Sequence, residues 1–362
     1  MKKWRAMAVI AVTVGAVLMY REASPATPWG AMTEIEAAAR QEGRLVVYSA
    51  PGHANREDQE AIGQRMREKY GIIIEWTTMG GSADMAQRVL AEHRTKQYIA
   101  DIVMDGIGGS YADTKPRGYV APILAPSTLE KDIWRLHPAA LTLKDRDWFF
   151  IQLQVHAGIF VNTKLVSPGE EPKSYQDLLD PKWKGKIVYQ SPGVGGPGVS
   201  WFRVHYKFLG LDYMGALAKQ VAVVAAINDV PDGVARGQYA IGIAASPARG
   251  RQLQQEGAPV KYVHLKEGDY ISVPGLYLLV NAPHPNAARA FINWFYSKEG
   301  QTIHSQHNLV ISLRKDVPQD HLPPEDRYLE GRTYRLADPE DITPEGSRKV
   351  MALGRQIFEA GK

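Results

Sequence analysis

The sequence predicts an α/β fold of two lobes, each a mostly parallel sheet flanked by helices, and three observations carry that expectation. From residue 32 onward, helical and strand-like periodicities alternate, the rhythm of parallel strands connected by helices. A glycine or a capping residue marks most of the changes from one period to the other. The alternation then starts afresh after a long apolar stretch at residues 147–165, with no Pro/Ser-rich linker, so crossing strands are expected to join the lobes.

In chain order, TEIEAAARQEG is a short helix stopped by Gly43, and RLVVYS is the first strand. Asn55, with Asp58 three residues on, opens a helix that places Ile62, Met66 and Tyr70 on one face and stops at Gly71. GIIIEWTT is the second strand, Ser82 is the expected N-cap of a helix carrying Met85, Val89 and Leu90, and ADIVMD is the third strand. DWFFIQLQVHAGIFVNTKL reads as two long strands, followed by a helix near Tyr175 to Leu179 and the strand GKIVYQ. Beyond a glycine loop come two helices separated by Gly210, the strand QVAVVAAI, a helix near Pro231 to Arg236 and the strand YAIGIAA. After YISVPGLYLLV, a helix from Ala287 to Tyr296 puts Phe291 and Phe295 on one face, with Asn286 as its expected cap, and a last helix runs near Ser347 to Glu359.

A composition of 44% hydrophobic and 23% charged residues is that of a globular chain, not a disordered or fibrous one. The formal charge of +4 falls to +1 without the first 22 residues, which hold Lys2, Lys3, Arg5, Arg21 and Glu22, so no nucleic acid or anionic membrane is expected as a partner. MKKWR, the apolar stretch Ala6 to Tyr20 and the polar REASPA follow the order of a secretory signal over residues 1–26, with Ser24 and Ala26 as the small residues before the cut. Fifteen apolar residues fall short of the roughly 20 that span a bilayer. A periplasmic location follows, with an uncleaved anchor as the alternative. The chain has no cysteine, which excludes disulfides and a lipid-anchor thiol and leaves stability to packing.

In parallel sheets ligands gather beyond the carboxyl ends of the strands. There the sequence places SAPGHANR, TMGGS and MDGIGGS, three successive small or glycine-rich loops. His53 in the first is a candidate anion or metal contact, and Gly80 and Gly81 lead into Ser82 at a helix start that suits an anion. SPGVGGPGVS, residues 191–200, carries Gly193, Gly195 and Gly198 in the G-x-G-x-x-G spacing. A dinucleotide site would need a strand after the first helix, yet a second helix follows, and Asp212 lies at its beginning. What remains is a glycine-rich helix entry, through Gly195 and Gly196, fit for a carboxylate or phosphate, with Arg249 in SPARGR for a planar or phosphate-like anion. His304 and His307, three apart with no third ligand nearby, are expected to be structural. No G-x-S-x-G elbow, P-loop lysine, H-E-x-x-H or nucleophilic cysteine is present.

EGRLVVYSAPGHANREDQEAI, GGSADMAQRVLAE, GIFVNTKLV, SYQDLLDPKWKGKIVYQSP, GVARGQYAIGIA and NAPHPNAARAFINWFYSKEGQ together resemble the extracellular solute-binding proteins of ABC importers, in particular the ferric-iron-binding-like branch. The resemblance implies the two-lobe type 2 periplasmic-binding fold, with residues 27–153 plus 271–315 in one lobe, 154–270 in the other, and 316–362 as a C-terminal helical extension packed on both. By position it places Ser49, His53, Gly80, Gly81, Ser82, Asp105 and Gly106 at the cleft from the first lobe, and Ser191, Gly193, Gly195, Gly196, Ser246 and Arg249 from the second. Ferric binders of this branch use two adjacent tyrosines where this chain has Ser246 and Pro247, and Asp105 falls one place from the expected acid. If the cargo were iron, His53 and Asp105 would hold it; hard ferric ion needs more anionic oxygen than that. The expectation is therefore a binding protein, not an enzyme, with no metal and no cofactor. It would take a small organic anion, a carboxylate, phosphonate or phosphate ester, and deliver it as a monomer to an inner-membrane permease. Ferric-ion uptake, presentation to a sensor kinase and a secreted enzyme are the alternatives.

Overall fold

The structure, a computed structural model, describes residues 29–360 apart from positions 51, 107, 108, 130, 131, 141–144, 157 and 273. The expected signal segment lies outside the described residues. α1 (Met32–Glu42) ends at Gly43 in the left-handed region, φ 63°, which an L side chain adopts only with strain. β1 (Arg44–Ser49) then leads to α2 (Arg56–Tyr70), where Asn55 accepts from the Asp58 N–H and Ile62, Met66 and Tyr70 are buried. β2 (Ile73–Thr78), α3 (Ser82–Thr95), β3 (Ile102–Gly106), α4 (Ser110–Thr114) and β4 (Val120–Ala121) complete the first series.

The stretch at 147–165 forms three short strands in place of two long ones: β5 (Phe149–Phe150), β6 (Gln154–His156) and β7 (Ile159–Asn162). Each belongs to a different sheet, because this is where the chain crosses from one body of the molecule to the other. The second series runs β8 (Ile187–Gln190), α5 (Pro197–Leu209), α6 (Leu211–Ala218), β9 (Val221–Val224), α7 (Asp229–Ala235), β10 (Ile241–Ile243), α8 (Pro247–Gln255) and β11 (Val260–Val263). The segment expected as a helix at 175–179 is a 3₁₀ turn closed by a reciprocal Ser174–Asp177 capping box. β12 (Asp269–Ser272) and β13 (Pro274–Leu279) lead back to α9 (Pro285–Phe295) and α10 (Lys298–His307), and β14 (Tyr334–Arg335) and α11 (Pro344–Phe358) close the chain.

The first sheet has the order β2-β1-β3-β13-β4, with β5 also on β13; the second is β11-β7-β10-β8-β9; β14-β12-β6 lies at the crossing. Pairing is parallel for β2-β1-β3 and for β10-β8-β9, the halves whose carboxyl ends carry the candidate loops. The strands that return from a crossing, β7 and β13, pair antiparallel. Separate apolar cores lie on the two large sheets, one around Trp148, Phe291 and Trp294, a second around Tyr189, Trp201 and Phe202, and a smaller third around Phe160, Val188 and Val230. The tail ties the first two together, laying Leu322, Tyr334 and Ile342 on the first core and Val350 and Phe358 on the second.

Two expected caps fall elsewhere. Ser82 is the first helical residue of α3, and Gly81, with an extended φ of 167°, is its N-cap. Asn286 lies inside α9, behind His284 as N-cap, and gives its backbone and side-chain N–H groups to Glu42. Glu42 also accepts from the Ala287 N–H, so a carboxylate of α1 satisfies the positive end of α9. Among the described residues no helix is long and apolar enough to cross a membrane.

Candidate functional site

The three first-lobe loops lie side by side because their strands do. Ala50 N–H donates to Met104 O and Met79 N–H to Ser49 O, extending the sheet ladder into the loops. Ser49 is fully buried and its hydroxyl turns to the neighbouring Ala50 carbonyl, 3.2 Å away. His53, half-buried, has its Nδ1 3.2 Å from the same carbonyl, and its own carbonyl accepts from Asn308 Nδ2 at 3.1 Å.

Asp105 organises the edge. Only 1% exposed, its carboxylate accepts from Ser82 Oγ at 2.7 Å, Gly106 N–H at 2.7 Å and Ser110 N–H at 2.6 Å. It thus ties the second loop to the third and caps α4. This explains why Ser82 does not cap α3: its hydroxyl turns outward to a charged acceptor, a stronger partner than its own helix N–H groups. The packing is close, since a Cβ on Gly109 would stand 2.4 Å from Asp105 Oδ2 and 2.5 Å from Ser82 Oγ. At Gly80 a Cβ would stand 2.7 Å from Asp84 Oδ2, the first-turn acid of α3.

In the second body, the 191–198 loop divides in two. Its far half is held by Gln190 at the end of β8, whose Oε1 accepts from the Gly198 N–H at 2.8 Å while Nε2 donates to Gly195 O and Ala225 O. One amide that the glycine entry was expected to offer an anion is therefore already used. Gly196 has φ +123° and a Cβ there would stand 2.9 Å from the Gln190 amide, whereas nothing lies within 4 Å of one on Gly195. Gly196→Val is thus expected to displace Gln190 and weaken solute binding, while Gly195→Ala leaves affinity within about twofold; parallel titrations of both variants check this. The near half of the loop, Ser191 and Gly193, is covered by α11 through Arg355 and Glu359.

Ser246 is the N-cap residue of α8 but makes no side-chain cap; its carbonyl accepts from Tyr262 Oη at 3.0 Å. Arg249 does not stand ready as an anion clamp. Its Nε donates to Asp232 at 2.8 Å and its Nη1 lies 3.6 Å from Glu256, so two acids already share the charge. Two residues on, Arg251 reaches Leu309 O, just past α10, at 3.0 Å and Asp326 at 3.3 Å, a polar clasp between the two bodies. Gln190, Arg355, Glu359 and Asn308 are residues that sequence reasoning did not single out.

His304 is buried between Asp58, 2.7 Å from its Nδ1, and Gln152, 2.6 Å from its Nε2, a structural role, while His307 is exposed. Near the crossing, His156 stacks on Tyr270 with centroids 4.3 Å apart, and His205 stacks on Trp201 at 4.5 Å. Burial pulls both imidazoles down to about 3. Both are neutral in the fold, so their contribution is intact above the ordinary histidine value of about 6.5. As pH falls below that, the unfolded chain binds protons that the folded chain refuses, and stability drops until about pH 3. Each histidine is expected to shift the folding equilibrium about tenfold per pH unit in that window, visible as a falling urea midpoint between pH 7 and 5 and flattened in His205→Gln.

Residues 61–328 match the family described as bacterial extracellular solute-binding protein. The chain belongs to that family. A putative 2-aminoethylphosphonate-binding periplasmic protein of Salmonella paratyphi A is 27% identical to this solute-binding protein over 301 residues, covering 79% of this chain and 82% of the relative. An uncharacterized protein of Haemophilus influenzae is 27% identical over 278 residues, 74% of this chain and 77% of its own. Among solved structures, iron-bound HitA of Pseudomonas aeruginosa superposes with a TM-score of 0.71 at 18% identity, over 87% of this chain and 99% of that one. AfuA of Actinobacillus pleuropneumoniae, solved with fructose-6-phosphate, gives 0.70 at 20% identity, over 87% and 98%. These likenesses establish the two-lobe periplasmic-binding fold for this solute-binding protein.

Proposed function

We propose that this solute-binding protein is the periplasmic component of an ABC importer, that it captures a small organic anion between its lobes, and that it hands it to an inner-membrane permease as a monomer without catalysing a reaction. The lobes would be residues 27–153 with 271–315, and 154–270, with 316–362 packed across both; residues 1–26 would direct export. The observation that carries the ligand class is the state of Asp105. All three of its close contacts are donors within the protein, so it is a cap and not a waiting metal ligand. Among the described residues no three His, Cys, Asp or Glu side chains converge as a metal would need. The reading against ferric ion rests on the sequence, where Ser246 and Pro247 stand in place of the tyrosine pair. The edge does offer donors: α3 begins at a glycine with no side-chain cap. The phosphonate named for the Salmonella relative and the sugar phosphate in AfuA are both of this anionic class. Titration calorimetry of residues 27–362 against ferric ion, 2-aminoethylphosphonate, fructose-6-phosphate and citrate tests the reading. Binding of an organic anion is expected; tight ferric-ion binding with no response to the organic anions would overturn it.

A further inference from the structure

The end of α11 is built onto the near half of the second-lobe glycine loop. Phe358, 1% exposed, packs edge-on to Tyr189 with centroids 5.0 Å apart, and a Cβ on Gly354 would stand 2.8 Å from Pro192, so the helix is seated closely and in one register. That register puts Arg355 and Glu359, one turn apart, over Gly193. Arg355 Nη2 donates to Gly193 O at 2.7 Å, and the Ser191 hydroxyl donates to the Glu359 carboxylate while accepting from the Gly193 N–H at 3.0 Å. Glycine at 193 leaves room for this approach: a Cβ would stand 2.7 Å from Glu359 Oε1 and 3.0 Å from Arg355 Nε and push those side chains aside. α11 also touches α4, the helix whose first N–H Asp105 accepts, so it reaches both bodies.

This arrangement has the parts of an anion site with an anion already in it. A hydroxyl donor meets a carboxylate, and a guanidinium stands 3.9 Å from that carboxylate. Both charged side chains are partly open to water, Arg355 at 61% and Glu359 at 34%, so the contact can exchange without unpacking the core. Arg249, by contrast, is shared between Asp232 and Glu256. We propose that Glu359 is an intramolecular competitor: its carboxylate holds the Ser191 hydroxyl until the anionic group of the solute displaces it, and Arg355 then pairs with the incoming anion. The inference rests on the organic-anion reading above.

The test is calorimetric titration of wild-type residues 27–362 and of E359Q, E359A and R355A with inorganic phosphate, methylphosphonate, 2-aminoethylphosphonate and citrate. Thermal unfolding without ligand serves as the control that each variant is folded. For the anion that wild type binds, E359Q and E359A are expected to tighten binding about 3- to 10-fold and R355A to weaken it about 10-fold, the scale of one ordinary net hydrogen bond. If wild type binds an anion and the Glu359 variants bind it no more tightly, the competitor role is wrong and the organic-anion reading stands. If wild type binds none of the four anions, both fall. A loss of affinity for 2-aminoethylphosphonate alone in both Glu359 variants would also overturn the competitor role, since the carboxylate would then be holding the ammonium group of that solute.

Discussion

His304→Ala is expected to lower the unfolding free energy by about 3–5 kcal/mol, the cost of leaving one member of a buried pair without its partner. Asp58 and His304 are both fully inaccessible, and burial pushes the Asp58 carboxyl above its usual range against the pull of the imidazole. Without His304 that carboxylate has lost its ring N–H donor at 2.7 Å, and Gln152 Oε1 keeps only Asn308 Nδ2 at 3.1 Å. Denaturant midpoints for His304→Ala, Asp58→Ala and the double variant check this. The double variant should lose clearly less than the sum of the singles, because each single change already strands the other group. Solute affinity should fall as well: Asn308 bonds both Gln152 and the His53 carbonyl, so a loosened network releases the first candidate loop. Equal and additive losses with unchanged affinity would show that the network is ordinary packing.

Asp105→Ala should cost about 3 kcal/mol and reduce solute binding below detection. Three donors lose their acceptor at once; the Ser110 N–H is the most deeply buried of them, and an unsatisfied buried donor costs about 1–3 kcal/mol. Gly106 and Ser82 lie nearer the surface and recover part of their loss in water. Binding suffers more than stability because the carboxylate sets the relative position of the second and third loops. Asp105→Asn, which keeps one acceptor oxygen, should recover part of both. A variant at Asp105 that binds solute with wild-type affinity would mean that these loops do not form the site.

Much of the fold was readable because its determinants are local. Gly43 and Gly71 stop helices through their own backbone conformation, and Asn55 caps α2 by reaching an N–H three residues away. Periodicity also located the strands, but it reports only that residues are apolar, not which sheet takes them; residues 147–165 therefore read as two strands where the chain spreads over three sheets. Side-chain destinations were least legible, because each depends on a partner far along the chain. Ser82 finds Asp105 23 residues on, Arg249 finds Asp232 17 residues back, and Ser191 meets Glu359 at a separation of 168. A serine before a helix and an arginine beside a glycine loop each have a good local reading, and the folded chain gave each a stronger charged partner. Gln190 offered no signal beyond closing an apolar strand, yet it occupies the amide that the glycine spacing suggested for a ligand.

The seating of α11 also bears on how the protein is handled. Arg355 and Glu359 sit on Ser191 and Gly193, so under the proposed reading anything attached close behind α11 is held near the loop that takes the solute. A polyhistidine tag placed there would bring a row of imidazoles to that loop, where they bind metal ions on their own account. The titration that separates iron from organic anion would then report the tag. An amino-terminal, cleavable handle ahead of α1 keeps that comparison clean.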